Sequence, residues 1–272
     1  MKKRLSTEVV QEAVVLYQGG LSLKQVGERF GRTPSGMLKI FREVGMKTRS
    51  SCEGVRLRRF RHHKVDEEAF DNPGREGKYW LGFLMADGSI NTDRVFTLTL
   101  KSADQAHLEK FRSFLRSEHP LFSVVRRYSS DSSGDLRHHS GLAIGSRRLV
   151  TALAKFGVTT TRTHTAMASP ELCQDRDFWR GVVDGDGYIL RRKTGLDKGR
   201  PILGICGSHA LMSQFLVFVR TIASTRAEVR PHGKISAVNI SGPVAVKVAE
   251  VLYKDAPIYL DRKYEMAMQI SS

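Results

Sequence analysis

The sequence predicts an α+β protein made of two copies of one unit, preceded by a small all-α module. Three observations carry this. The stretch YWLGFLMADG, Tyr79 to Gly88, returns in the same grammar as FWRGVVDGDG, Phe178 to Gly187. After each copy the apolar period alternates between strand and helix, so that both halves read helix–strand–strand–helix–strand–strand–helix. Residues 6–46 instead carry three short helical patterns broken by Gly and Pro.

In the first of those helices Val10, Val14 and Tyr17 follow helical spacing, widened by Val9 and Ala13, and Gly19-Gly20 ends it. Ser22 to Gln25 is a capping box opening the second, whose apolar face is Leu23, Val26 and Phe30. Thr33-Pro34 supplies an N-cap and a first-position proline for the third. That helix should bury Ile40, Phe41 and Val44 and leave Ser35, Lys39 and Arg42 outside. Helix, short helix, tight turn, helix is the helix-turn-helix pattern, in which the last helix enters the major groove. Residues 1–46 thus resemble the small DNA-binding modules attached to resolvases and transposases. Residues 47–64, KTRSSCEGVRLRRFRHHK, have no period and abundant Lys and Arg. They read as a basic linker whose Arg58, Arg59 and Arg61 track phosphates, or as a tether alone.

The repeated stretch is the informative one. Gly82 with Ala86, and Gly181 with Gly185, fall on one face of their helices. Small residues there let a second helix's backbone approach closely. Each copy ends in Asp-Gly, a common helix stop. A single copy would be read as a buried helix with an Asp-Gly turn; two copies at domain spacing imply a duplicated unit. Packed together, the helices would set Asp87 beside Asp186 at their C-terminal ends, where the helix dipole also favours a cation.

Trp80 to Gly88 and Trp179 to Gly187 resemble the nine-position motif of the LAGLIDADG (DOD-type) homing endonucleases, in the single-chain form with two repeats. The resemblance covers about residues 65–270. It implies a pseudo-two-fold saddle of two αββαββα repeats that makes a double-strand break in a long asymmetric duplex. It also implies metal-binding catalytic acids at Asp87 and Asp186, with Mg²⁺ as cofactor and Mn²⁺ able to substitute. No dimer partner is needed, so a monomer is expected. The sixth motif position holds Asp184 in the second copy but Met85 in the first. With Arg180 four residues before it, Asp184 reads as a helix-face ion pair.

The first repeat, residues 65–163, continues with VFTLTLK, where Phe96, Leu98 and Leu100 alternate with polar neighbours. A helix burying Leu108, Phe111 and Leu115 follows. FSVVRRY and LRHHSGLAI then form a hairpin, and SRRLVTALAKFGV closes the unit. Residues 164–177 join it to the second repeat, 178–272. There YILRRK and PILGICGS are strands, and Leu211, Phe215, Phe218 and Ile222 line a helix. EVRPHGKISAVNI is a hairpin turning at Pro231 to Gly233, followed by closing helices. One face of each sheet should stay open, and the candidate DNA-facing side chains are Thr97, Thr99, Lys101, Arg127, Arg137 and His139, with Arg191, Lys193, Arg200 and Lys234 in the second half. Lys101 is also the candidate for stabilising phosphate charge during catalysis.

The formal charge is +16. Residues 1–64 hold 15 Lys/Arg against 5 Asp/Glu, a net of +10, leaving +6 for the rest. A basic protein with a still more basic arm fits a polyanion, and double-stranded DNA in particular. No stretch suits a membrane: Tyr79 to Ala86 is far too short to span one. Cys52, Cys173 and Cys206 are widely spaced, which argues against a zinc ribbon or a disulfide framework. No signal peptide is evident at the N-terminus, and a cytoplasmic protein of a bacterial or phage-infected cell is expected. Two further functions stay open at this point: a DNA-binding regulator without cleavage, and an RNA-splicing maturase.

Overall fold

The computed structural model describes residues 5–18, 21–50, 63–92, 94–127, 136–160 and 165–271. Arg58, Arg59 and Arg61, the Gly19-Gly20 stop and the side chain of Arg127 lie outside the described residues. The chain divides into two units, Met1–His63 and Lys64–Ser272.

In the first unit, α1 (Thr7–Gln18), α2 (Leu23–Arg29) and α3 (Pro34–Glu43) enclose a core of Ala13, Tyr17, Val26, Met37 and Phe41. The capping box forms: the Gln25 N–H donates to Ser22 Oγ at 3.2 Å, and the Ser22 N–H to Gln25 Oε1 at 2.9 Å. Thr33 Oγ1 accepts the Gly36 N–H at 3.1 Å, starting α3. Gly31 makes the turn between α2 and α3 at φ 62°, a conformation in which a Cβ is strained. Ser35, Lys39 and Arg42 are exposed on α3 as expected. Val44 is not buried but 53% exposed, because α3 stops at Glu43 and Val44 is its cap; Met37 fills the core instead. Beyond α3 the chain is pinned back by Arg49, which donates to the Tyr17 carbonyl at 2.9 Å and lies 3.9 Å over the Tyr17 ring.

The second unit holds the two repeats. The first runs α4 (Arg75–Ala86), β1 (Gly88–Thr92), β2 (Val95–Lys101), α5 (Gln105–Phe114), β3 (Phe122–Arg127), β4 (Leu136–Gly145) and α6 (Arg147–Lys155). The second runs α7 (Arg176–Asp186), β5 (Tyr188–Arg191), β6 (Pro201–Gly207), α8 (His209–Ile222), β7 (Val229–His232), β8 (Ile235–Ser241) and α9 (Pro243–Tyr253). A further helix, α10 (Asp261–Ser271), has no counterpart among the described residues of the first. Both sheets are antiparallel and share one order, β1-β2-β4-β3 and β5-β6-β8-β7. The last hairpin turns at Gly233-Lys234, one place later than its proline suggested, since His232 pairs with Ile235 and Gly233 takes the positive φ.

Alternation decides what each sheet buries. Phe96 and Leu98 of β2 are at most 1% exposed, as are Ile205 of β6 and Val238 and Ile240 of β8. The apolar faces of α5 and α8 cover them, and one core runs through both repeats by way of α4 and α7. Trp80 and Trp179, the first residues of the two motifs, are fully buried. Burying a large apolar side chain of this kind contributes roughly 1.5–3 kcal/mol. None of the described helices is long and apolar enough to cross a membrane.

Candidate active site

The motif helices meet through their glycines. A Cβ added to Gly82 would stand 2.0 Å from the Phe178 carbonyl oxygen, and one on Gly181 would stand 2.0 Å from the Tyr79 carbonyl oxygen. At Gly185 it would lie 2.4 Å from the Ala86 Cβ. Backbone therefore touches backbone, reciprocally, between α4 and α7. Their N-terminal ends are tied by charge: Arg75 forks onto Asp177 at 2.9 and 3.2 Å, and Lys78 meets Asp175 at 2.7 Å. Burial alone would raise the Asp177 carboxyl, but its bonds from Arg75 and Arg180 hold it below the ordinary value.

At the other end the two acids emerge. Asp87 is the C-cap of α4, Asp186 the last residue of α7, and both are exposed. The Asp87 carboxylate lies against the second motif, its Oδ2 being 3.5 Å from the position a Gly185 Cβ would take. Among the described residues no group of three or more His, Cys, Asp and Glu could enclose a metal ion. The donors present are thus a few carboxylates open to solvent. That set suits a cation that keeps waters and takes phosphate oxygens, as Mg²⁺ does.

Beside Asp87 lies a cavity of about 530 Å³, also lined by Thr97, Thr99, Lys101, Arg126 and His139. Register explains the grouping. Lys101 pairs with His139, His139 with Val124, and Arg137 with Arg126, so these positions share the open face of the sheet. Arg127 pairs with Leu136, one step out of that row. Arg126 therefore takes the place expected of Arg127. His139 is on the expected face but only 7% exposed.

The second sheet is less basic. Its open face carries Tyr188, whose hydroxyl donates to Asn239 Oδ1 at 2.6 Å above Gly204, and Arg230, paired with Ala237. Arg191, expected on this face, is on the other one. It shares the parity of the buried Ile189 and donates to the carbonyls of Gln269 and Ile270, capping the end of α10. Lys193 and Arg200 stand exposed in the loop that follows β5, and Lys234 in the last hairpin turn.

Three buried groups behind the acids were not legible as such. Asp184 is no surface ion pair: it is fully buried, accepting from Tyr79 Oη at 2.8 Å, Tyr253 Oη at 2.5 Å and the Leu260 N–H at 2.7 Å. Burial raises its pKa against the pull of those donors. Arg180 turns back along the helix, as helical side chains do, to Asp177 at 2.6 Å and the Ile258 and Leu252 carbonyls. Lys263 of α10, 5% exposed, donates to the carbonyls of Val183 (3.3 Å) and Gly187, tying the last helix to the end of α7. Burial lowers its pKa to about 8. No spacing in the sequence links a lysine on the last helix to the end of the motif.

A scan against protein-family models finds no match, and a search of curated proteins finds no similar sequence. Solved structures do match. The homing endonuclease I-WcaI bound to its DNA recognition sequence aligns with a TM-score of 0.51 at 11% identity, over 83% of this chain and 96% of that one. The LAGLIDADG meganuclease I-AabMI bound to uncleaved DNA aligns at 0.47 and 11% identity, over 71% and 89%. The N-terminal LAGLIDADG domain of DUF199/WhiA aligns at 0.44 and 14% identity, over 74% and 93%. The likeness is one of fold.

Proposed function

We propose that the chain is a site-specific DNA endonuclease of the homing type, making a metal-dependent double-strand break in a long asymmetric duplex. The observation that carries this is the presence of Asp87 and Asp186 together at the exposed ends of two helices locked by reciprocal glycines. A fold of this kind without chemistry would not need both acids. The DNA-bound state of I-WcaI supports the choice of duplex DNA as partner, as does the +16 charge.

Asp87 and Asp186 would hold Mg²⁺, or Mn²⁺ in its place. When bound, such a metal lowers the pKa of a coordinated water and offsets charge on the leaving oxygen. The chain's own residues do the rest. The tight α4–α7 contact fixes the separation of the two carboxylates, and Lys263 steadies the backbone on which Asp186 sits. Lys101 and Arg126 supply positive charge to a phosphate beside Asp87. The open sheet faces follow the duplex, and their different residues give the two halves different base preferences. One chain contains both halves, so it acts as a monomer.

The test is incubation of the purified chain with a library of long duplexes, with Mg²⁺ or Mn²⁺ and with EDTA. Double-strand breaks at a defined site that disappear with EDTA are expected. Asp87→Asn and Asp186→Asn should each abolish them while sequence-specific binding persists. Specific binding with no cleavage of any duplex by the unaltered chain would make it a regulator instead. Wild-type cleavage rates in both variants would remove the two aspartates from the mechanism.

A further inference from the structure

The segment that joins α9 to α10 belongs to the second repeat, yet both repeats hold it. Arg180 takes the Ile258 carbonyl at 2.8 Å, and the buried Asp184 takes the Leu260 N–H at 2.7 Å. From the first repeat, Lys110 reaches the Tyr259 carbonyl at 3.2 Å and Asp261 at 2.6 Å. The first turn of α10 is thereby fixed over the first repeat. Its next residue, Arg262, donates through Nε to both oxygens of Asp104, at 3.0 and 3.1 Å. Arg262 and Asp104 both line the cavity that contains Asp87 and Lys101.

The arrangement has no counterpart in the other half. Ser89 pairs with Thr97, and Tyr188, its equivalent in the second copy of the motif, with Gly204. Counting on from those registers, Lys101 and Asp104 correspond to Ser208 and Leu211, which are 2% and 4% exposed. Among the described residues no helix follows α6 as α10 follows α9. The Arg262 side chain is 53% exposed while the Asp104 side chain is 11% exposed. A guanidinium bonded through Nε keeps its outer fork, which suits a phosphate approached in its plane.

We propose that Arg262 is a phosphate-binding residue supplied by the second repeat to the Asp87 side of the cleft alone, resting on Asp104 until duplex DNA arrives. The proposal rests on the endonuclease reading for the identity of the phosphate. It makes the two half-sites unequal, the Asp87 side being the richer in positive charge.

Salt dependence of binding to a mixed-sequence duplex tests it without requiring cleavage. Each phosphate neutralised on duplex DNA adds about 0.9 to the slope of log affinity against log salt. Arg262→Ala should therefore flatten the slope by about 0.9, and Arg262→Lys should restore it. Asp104→Asn breaks the same ion pair but leaves the arginine, so it should keep the full slope. In strand-resolved cleavage, Arg262→Ala should slow one strand roughly tenfold or more relative to the other, the expected loss of a charge-assisted hydrogen bond. An unchanged slope in Arg262→Ala, or equal losses in Arg262→Ala and Asp104→Asn, would reduce the pair to a structural latch and overturn the proposal. A flattened slope in a protein that cuts no duplex would uphold the proposal and sink the endonuclease reading instead.

Discussion

A single carboxylate shows how far burial alters a residue's meaning. Asp184, one helical turn from Arg180, sits where a surface ion pair would form, yet it is fully buried and serves as acceptor for two tyrosines and a backbone N–H. Tyr79 has one proton, given to Asp184, so His107 Nε2 at 2.8 Å must donate to the tyrosine oxygen. Burial keeps His107 neutral, pushing its pKa from 6.5 down to about 3. The sign of the pH effect follows. The folded state resists protonation of His107 while the unfolded state accepts it below about 6.5, so this stabilisation is present above pH 6.5 and lost as pH falls toward 3. Relative to His107→Leu, the wild-type chain should lose up to about 1.4 kcal/mol per pH unit over that window. Urea unfolding of both proteins at pH 7 and pH 5 measures it; a difference that does not change with pH would mean His107 titrates normally.

At the scale of the element, the pair α4–α7 is a joint with almost no tolerance. The Gly82 and Gly181 positions each face a backbone oxygen, which cannot rotate aside as a side chain can. Gly82→Ala or Gly181→Ala must therefore push the helices apart, moving the carboxylates at their ends as well as straining the core. Overpacking of this kind costs roughly 1–3 kcal/mol or more, a fall in melting temperature of at least several degrees for a unit of this size, at about 2–4 °C per kcal/mol. Cleavage at a temperature where the variant remains folded should fall too, because the spacing of Asp87 and Asp186 changes. A variant that keeps its melting temperature and its rate would show that the helices do not touch as described. Gly36, on α3, is the contrast: a Cβ there would meet only Thr33 Oγ1, at 3.2 Å.

At the scale of the whole molecule, charge is divided unevenly between the two units: +9 lies in Met1–His63 and +7 in the far longer Lys64–Ser272. If α3 carries Ser35, Lys39 and Arg42 to the major groove, deleting residues 1–64 should shorten the protected footprint at one end and weaken binding. The repeats contain both acids and their own core, so they should still fold and cut at higher protein concentration. Loss of roughly four phosphate contacts would flatten the salt slope by between three and four. Footprinting and salt titration of the truncated chain measure both. A full-length footprint with an unchanged slope would assign the first unit to a protein partner, and Lys39→Ala with Arg42→Ala would then leave DNA affinity as it was.

Local pattern carried most of the architecture in this sequence. Period, glycine and cap signals are written in contiguous residues, so the two repeats, their strand order of events, the capping box at Ser22 and the Asp-Gly helix ends were legible from one chain. The pairing of Gly82 with Gly181 was implied because a motif that occurs twice supplies its own partner. What tertiary structure alone decided are contacts between residues far apart in the chain. Strand register put Arg126 in the row expected of Arg127, and sheet parity turned Arg191 to the helix side. The burial of Asp184 needed Tyr253 and Leu260, and the roles of Arg262 and Lys263 needed the last helix to return to the motif. A side chain's spacing along the chain says which face it leaves from, whereas its partner depends on which distant segment the packed core brings to that face.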